Sequence, residues 1–186
     1  MCHDLLADPK LYVFLLHIDE EQAAQTRGGG CACGGRLHRA DYQRKPRGGP
    51  RDLGPAYRLR RSFCCAICRK RHTPMSVRFL GRRVYLGAVV VLASAMRYGL
   101  TVKRVAQLTD WFGVPRQTLD RWRDWWHADF VDSGFWQETR DRFMPPLQLS
   151  TLPASLLYRF SGADLLQRTL FALRFLAPLT SRREGR

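Results

Sequence analysis

Residues 100–126 read LTVKRVAQLTDWFGVPRQTLDRWRDWW. Two stretches of helical apolar periodicity flank a glycine, and the second opens on proline, the residue best suited to a first helical turn. The spacing predicts a helix over 102–112, a turn at Gly113 and a helix over 115–126. Val105, Leu108 and Phe112 fall on the inner face of the first helix, Leu119 and Trp122 on that of the second, and Val114 plugs the gap between them. Arg116, Gln117, Asp120, Arg121 and Arg123 are left facing outward. A helix, a tight glycine turn and a second helix with an exposed polar face make the helix-turn-helix layout. Arginine and glutamine form the common bidentate contacts to guanine and adenine, concentrated at the start of the second helix, where Arg116 and Gln117 stand. Arg121 and Arg123 suit phosphates, and Thr118 suits a base or the backbone. The position four before the turn glycine, usually a small residue in this motif, holds Thr109. The competing reading is a helical hairpin that only packs, with a solvated cationic face. Trp122, Trp125 and Trp126 also offer stacking surface for a single strand, although helical spacing makes Trp122 core.

The segment upstream carries the charge. From Arg27 to Arg83, sixteen Lys/Arg face two acids, Asp41 and Asp52; 16 − 2 gives +14 of the chain's formal +15. Such a surplus attracts polyanions, nucleic acid before membrane surfaces. The same block holds five of the six cysteines. Cys65-Ala66-Ile67-Cys68 has the spacing of a metal knuckle, while Cys31-Ala32-Cys33 is tighter than usual. One structural zinc on Cys31, Cys33, Cys65 and Cys68 is expected, with Cys64 and His38 as alternates. Ordinary reduced cysteines are the competing reading; a redox pair is weaker, because no βαβ pattern surrounds it. The 31 residues from Gly34 to Cys64 exceed the roughly 15–20 of a simple zinc ribbon. An insertion is therefore expected, built around the basic finger Arg44-Lys45-Pro46-Arg47, which suits phosphates or a minor groove. Tyr57–Arg60 alternates like a half-exposed strand, and Met75–Phe79 reads as a second strand or an extended exit.

Four segments follow. Residues 1–27 predict a helix capped by Asp8-Pro9, with Leu11, Phe14, Leu15 and Ile18 inward. Its acids lie either against the basic module or in solvent. Residues 28–81 form the basic zinc-ribbon-like module, and residues 82–130 a three-helix unit whose first helix covers 84–98 and stops at Gly99. Residues 131–186 form a helical tail, with a last helix over 163–176. Leu166, Leu170 and Leu173 share one side of that helix; with Phe171 they suit either dimerisation or the chain's own core. The fold class expected is mainly α with a small β module. The longest apolar run, 84–96, spans 13 residues against the roughly 20 of a membrane span. With no secretory signal visible, the expectation is a cytoplasmic, nucleoid-associated protein with reduced thiols and no membrane partner. No small-molecule substrate is evident, since no glycine-rich phosphate loop occurs.

RSFCCAICRKRHTPMSVRFLGRR (61–83) followed by GVPRQTLDRWRDWW (113–126) resembles zinc-ribbon plus helix-turn-helix proteins of bacterial insertion sequences and transposases. CGGRLHRADY (33–42) resembles the opening knuckle of such ribbons, and the likeness covers about residues 31–127. It implies recognition of mobile-element DNA. In such families the two modules typically precede a catalytic domain; here 60 residues (186 − 126) follow Trp126. That is too few for an RNase H-like domain holding three metal-binding carboxylates. The acids there, such as Asp129, Glu138 and Asp164, sit among turns and amphipathic helix. A tyrosine nucleophile with a His-hydrophobe-His pair is also absent. Catalysis is not expected and no catalytic residue is assigned. The expected function is sequence-specific double-stranded DNA binding by a transposase-like or accessory protein, acting with a separate transposase or as a homodimer. A host transcriptional regulator, a diverged recombinase or nuclease, and an RNA-binding zinc-ribbon protein are the alternatives.

Overall fold

A helix that is apolar on every side has to be surrounded, and GAVVVLAS is such a helix. It forms α3 (Gly87–Ser94), buried along Gly87–Ala93 at the centre of a computed structural model that describes residues 2–49, 53–80, 85–95 and 101–181. Around it pack α1 (Cys2–Ala7), α5 (Arg116–His127) and α8 (Leu165–Leu176). Completing the helical body are α2 (Pro9–Gly29), α4 (Val102–Phe112), α6 (Gly134–Thr139) and α7 (Ala154–Arg159). Gly87 is required by close approach: a Cβ there would press on the Val77 carbonyl at 3.2 Å and on Leu173 at 3.3 Å. The helix begins later than the expected residue 84, because Tyr85 and Leu86 are drawn into bridges with Arg47 and Phe79. Residues 84 and 96–99 lie outside the described residues.

The basic block folds as small antiparallel sheets. Strands β1 (Leu37–Arg39), β4 (Phe63–Cys65) and β5 (Arg71–His72) form one sheet in the order β1-β4-β5. The second sheet pairs β2 (Tyr42–Gln43) with β3 (Leu59–Arg60). The strand expected over 57–60 is half a 3-10 turn (Pro55–Arg58), because Tyr57 turns inward and is buried. Met75–Phe79, expected as a strand or an extended exit, forms no ladder and bends at Val77–Arg78, because the Ser76 hydroxyl accepts from the Arg78 and Phe79 N–H groups, each at 3.2 Å; Phe79 bridges to Leu86.

Two helices differ from expectation. In α2, Gly28 and Gly29 continue the helix beyond Arg27, and Gly30 supplies the C-cap at a positive φ of 68°, a conformation that favours glycine. Phe14 is 48% exposed, and Tyr12 takes the inward place, its hydroxyl donating to the Leu6 carbonyl at 2.7 Å. In α8, Asp164 caps the start through the Gln167 N–H. Its buried side is Thr169, Ala172, Leu173 and Leu176, so the inward stripe is rotated from the Leu166/Leu170 line and faces the chain's own core.

The acids of α2 dock on the basic block. Asp19, buried, accepts from Arg78 Nε at 2.7 Å, Ser76 Oγ at 2.6 Å and the Val77 N–H at 2.7 Å. The same guanidinium donates to the carbonyls of Tyr57 (3.1 Å) and Leu59 (2.9 Å) and stacks near the Tyr57 and Phe79 rings. Arg61 joins Glu20 of α2 to Asp41, in the turn between β1 and β2. A buried pair survives desolvation only when its remaining hydrogen bonds are met, and this one meets them. Arg61 and Arg78 are thereby buried as structural elements, and Arg60 is buried beside them, donating to the Pro74 carbonyl at 2.5 Å.

Candidate metal centre and the exposed basic face

Strand alternation selects which cysteines come together. Neighbouring residues of a strand point to opposite faces, so Phe63 and Cys65 are buried together while Cys64 faces the other way, across from His38. Cys65 sits with Ala23, Leu37 and Phe63 in a small core against which Cys31 and Cys68 pack. Two turns carry the other sulfurs. After Cys33, Gly34 adopts φ 78° and returns its N–H to the Cys31 carbonyl at 2.8 Å. After Cys68, Arg69 adopts φ 60° and returns its N–H to the Cys65 carbonyl at 3.2 Å.

The four sulfurs of Cys31, Cys33, Cys65 and Cys68 lie within 4.8 Å of one another. Cys31 to Cys68 and Cys31 to Cys33 are each 3.5 Å, and Cys33 to Cys65 is 3.4 Å. A tetrahedral ion with metal–sulfur bonds of about 2.3 Å makes sulfur–sulfur edges of about 3.8 Å. The three close edges would open by a few tenths of an ångström around a tetrahedral metal ion, which the four cysteines could hold. The one-residue spacing of Cys31 and Cys33 is no obstacle, because the Gly34 turn brings both sulfurs to one point. Cys64 and His38, the alternates, are not in this group; the Cys64 thiol instead lies 3.4 Å from the Arg69 carbonyl.

The surroundings split the thiols. The Cys68 and Ile67 backbone N–H groups aim at the Cys65 sulfur and hold its pKa down, to about 6. Cys31 is pulled down by the Cys33 N–H, but desolvation and the adjacent sulfurs outweigh this and push it up to about 12. Gly35 belongs to the same site. A Cβ there would run into the Cys65 sulfur and within 3.2 Å of Ile67. A second glycine directly after a cysteine turn was the available signal.

The expected DNA-contacting residues divide. Arg116, Gln117, Arg121 and Arg123 are exposed on α5, whose buried side is Thr118, Leu119, Trp122 and Trp126. Arg116 lies 3.8 Å from Asp120. Thr118 is turned inward, only 5% exposed, and accepts from Arg121 Nη2 at 3.0 Å. In the basic finger, Lys45 and Arg47 are exposed, whereas Arg44 is half-buried over the Phe79 ring at 5.3 Å. Arg47 and Arg121, far apart in sequence, line one cleft of about 520 Å³ with Thr118, Tyr85 and Trp122. Tyr85 joins the parts: its hydroxyl donates to the Gly113 carbonyl at 3.0 Å, and its ring meets Trp122 edge-on at 5.1 Å. Among the described residues no helix is long and apolar enough to cross a membrane. No protein-family model, no curated protein and no solved structure matches this chain.

Proposed function

We propose that this protein is a zinc-stapled reader of double-stranded DNA, with α4, the Gly113 turn and α5 acting as a helix-turn-helix. The observation that carries the reading is the shared cleft: the basic finger's Arg47 and the second helix's Arg121 belong to one face. On this reading Arg116 and Gln117 meet base edges, while Arg121, Arg123, Lys45 and Arg47 meet phosphates. Arg44 and Thr118 serve from behind, the first by packing on Phe79 and the second by holding Arg121. Zinc suits four thiolates in a closed tetrahedron and would be held by Cys31, Cys33, Cys65 and Cys68. Its chemistry there is a structural cross-link. The order of the two modules, and their likeness to insertion-sequence proteins, favour a transposase-like or accessory role at a mobile element.

Selection of bound sequences from a random duplex pool, with zinc-loaded protein at near-physiological salt, tests this. A single enriched motif is expected, and its location at element ends or at promoters then separates transposition from host regulation. Binding without enrichment would reduce α5 to packing, and tighter binding of structured RNA at equal salt would replace DNA as the target.

A further inference from the structure

The cleft between the finger and α5 has the features of a built anion site. Arg47 is fixed by its backbone: its carbonyl accepts the Leu86 N–H at 3.1 Å, beside the Arg47–Tyr85 bridge. The next residue, Gly48, at φ 83°, lies so close to α3 that a Cβ would stand 3.0 Å from Val89 and 3.3 Å from Tyr85. The opposite wall is α5. Arg121 is steered by its own helix, donating from Nε to the Gln117 carbonyl at 3.3 Å and from Nη2 to Thr118 at 3.0 Å. Among the described residues neither Arg47 nor Arg121 has a carboxylate partner, unlike Arg61 and Arg78 in the same molecule. Thr118, nineteen-twentieths buried, lines the cleft, and its own O–H has no acceptor among the described residues. At the cleft's edge, Pro115 caps α5 without any side-chain acceptor for the first-turn N–H groups. Two unneutralised guanidiniums, a buried hydroxyl with a proton to give and an uncapped helix start all call for one oxyanion.

We infer that this cleft binds a phosphoryl group between Arg47 and Arg121, and that in the DNA complex it clamps a single backbone phosphate. The inference rests on the DNA-binding reading for its partner, but the chemistry it needs is that of any phosphoryl oxyanion. Its consequence is architectural: one phosphate cross-links the basic finger to the second helix, fixing their relative register on the duplex.

The test compares Arg47→Ala, Arg121→Ala and the double variant for duplex affinity across a salt series, with inorganic phosphate titrated separately against tryptophan emission. Both arginines are exposed, so matched melting curves serve as the control for folding. Each single substitution is expected to weaken binding roughly tenfold, alike on preferred and random sequences. Because both side chains serve one phosphate, the double variant should lose less than the product of the single losses. Its salt slope should fall by about 0.9, against about 1.8 for two independent phosphates. Arg121→Lys should keep the slope and lose affinity, since charge remains but the planar fork does not. A saturable phosphate response lost in the double variant would identify a free phosphate or monoester as a ligand of the same site. Wild-type affinity and slope in the double variant would overturn the clamp and leave the DNA reading standing. Failure of the wild-type protein to bind duplex would remove the DNA reading instead; the phosphate titration alone would then decide the cleft, and no response would overturn it.

Discussion

The helical body packs a continuous apolar cluster that runs from Leu6 to Ala177, including Trp126, Phe130, Leu108 and the whole of α3. The cysteine module has Ala23, Leu37, Phe63 and Cys65, with Cys31 and Cys68 at its edge. Burial of an apolar side chain stabilises by about 1.5–3 kcal/mol, so four residues, one of them borrowed from α2, cannot order strands of two and three residues. The body stands on packing, whereas the module needs a cross-link, and its sulfurs are gathered where one would form. The two are joined by the Asp19–Arg78 and Glu20–Arg61 pairs and share no buried apolar residue, so the module's collapse need not spread into the body.

Metal removal should break this comparison most severely. Structural zinc is worth about 10–16 kcal/mol in small domains, far above what the module's core supplies. Chelation, or Cys65→Ser, is expected to abolish amide protection at Ala40 and Ala66, whose N–H groups bond across the sheet to Ser62 and Arg36, while the α3 amides stay protected, as read by hydrogen exchange. Loss of protection in both regions at once would show that they are one cooperative unit. The pH dependence follows from the thiols. A bound metal needs four thiolates, whereas the free site keeps a proton on Cys31, whose pKa is about 12, and takes one on Cys65 below about 6. Metal binding therefore releases protons. Affinity should fall as pH falls from neutrality, and more steeply below about 6; a competition titration with a chromophoric chelator would show it.

Next in size is the joint. Asp19→Ala leaves Arg78 charged in a fully buried site, a change that costs about 3–5 kcal/mol. Denaturant melts should show that loss, and Asp19→Asn should recover part of it, because its one amide oxygen can still accept from the Val77 N–H. A loss below about 1 kcal/mol, the range of exposed pairs, would mean that water reaches the pair. Smaller again is Gly35→Ala. Its methyl meets the Cys65 sulfur, which a bound metal would fix in place, so overpacking of about 1–3 kcal/mol is expected. It should appear as weaker metal retention with an unchanged melt of the helical body.

Much of this was legible from spacing. The two cysteine pairs and, to within a residue, the boundaries of α4 and α5 follow from local pattern, because a CxxC turn and a 3.6-residue period are local facts. What local pattern could not supply is partnership. Cys64 and Cys65 are equivalent in sequence until β1 pairs with β4 and assigns each a face. Val84–Leu86 reads as helix, yet distant Arg47 and Phe79 draw Tyr85 and Leu86 into bridges. Phe14 has the right period for the core, but Tyr12 displaces it because its hydroxyl finds the Leu6 carbonyl. The charge block likewise reads as a uniform polycation, and only the docking of α2 divides it into structural and exposed arginines.

That division sets the smallest effect on stability and the sharpest on reading. Arg116 and Gln117 are exposed at the start of α5, and the Arg116–Asp120 pair, at 3.8 Å with both side chains half in solvent, holds little energy. Replacing both with alanine should shift stability by no more than about 0.5 kcal/mol, the range of surface substitutions. On DNA each lost base contact should cost about 1–3 kcal/mol of discrimination at its own position, while affinity for random duplex falls much less. Arg78→Ala should do the reverse, destabilising the fold with no change in base preference per folded molecule. Two arginines of one basic chain would then separate cleanly, one acting through the fold and the other through the partner. Equal loss on every sequence for the Arg116/Gln117 variant would place those side chains on phosphates and move base readout elsewhere on the α5 face.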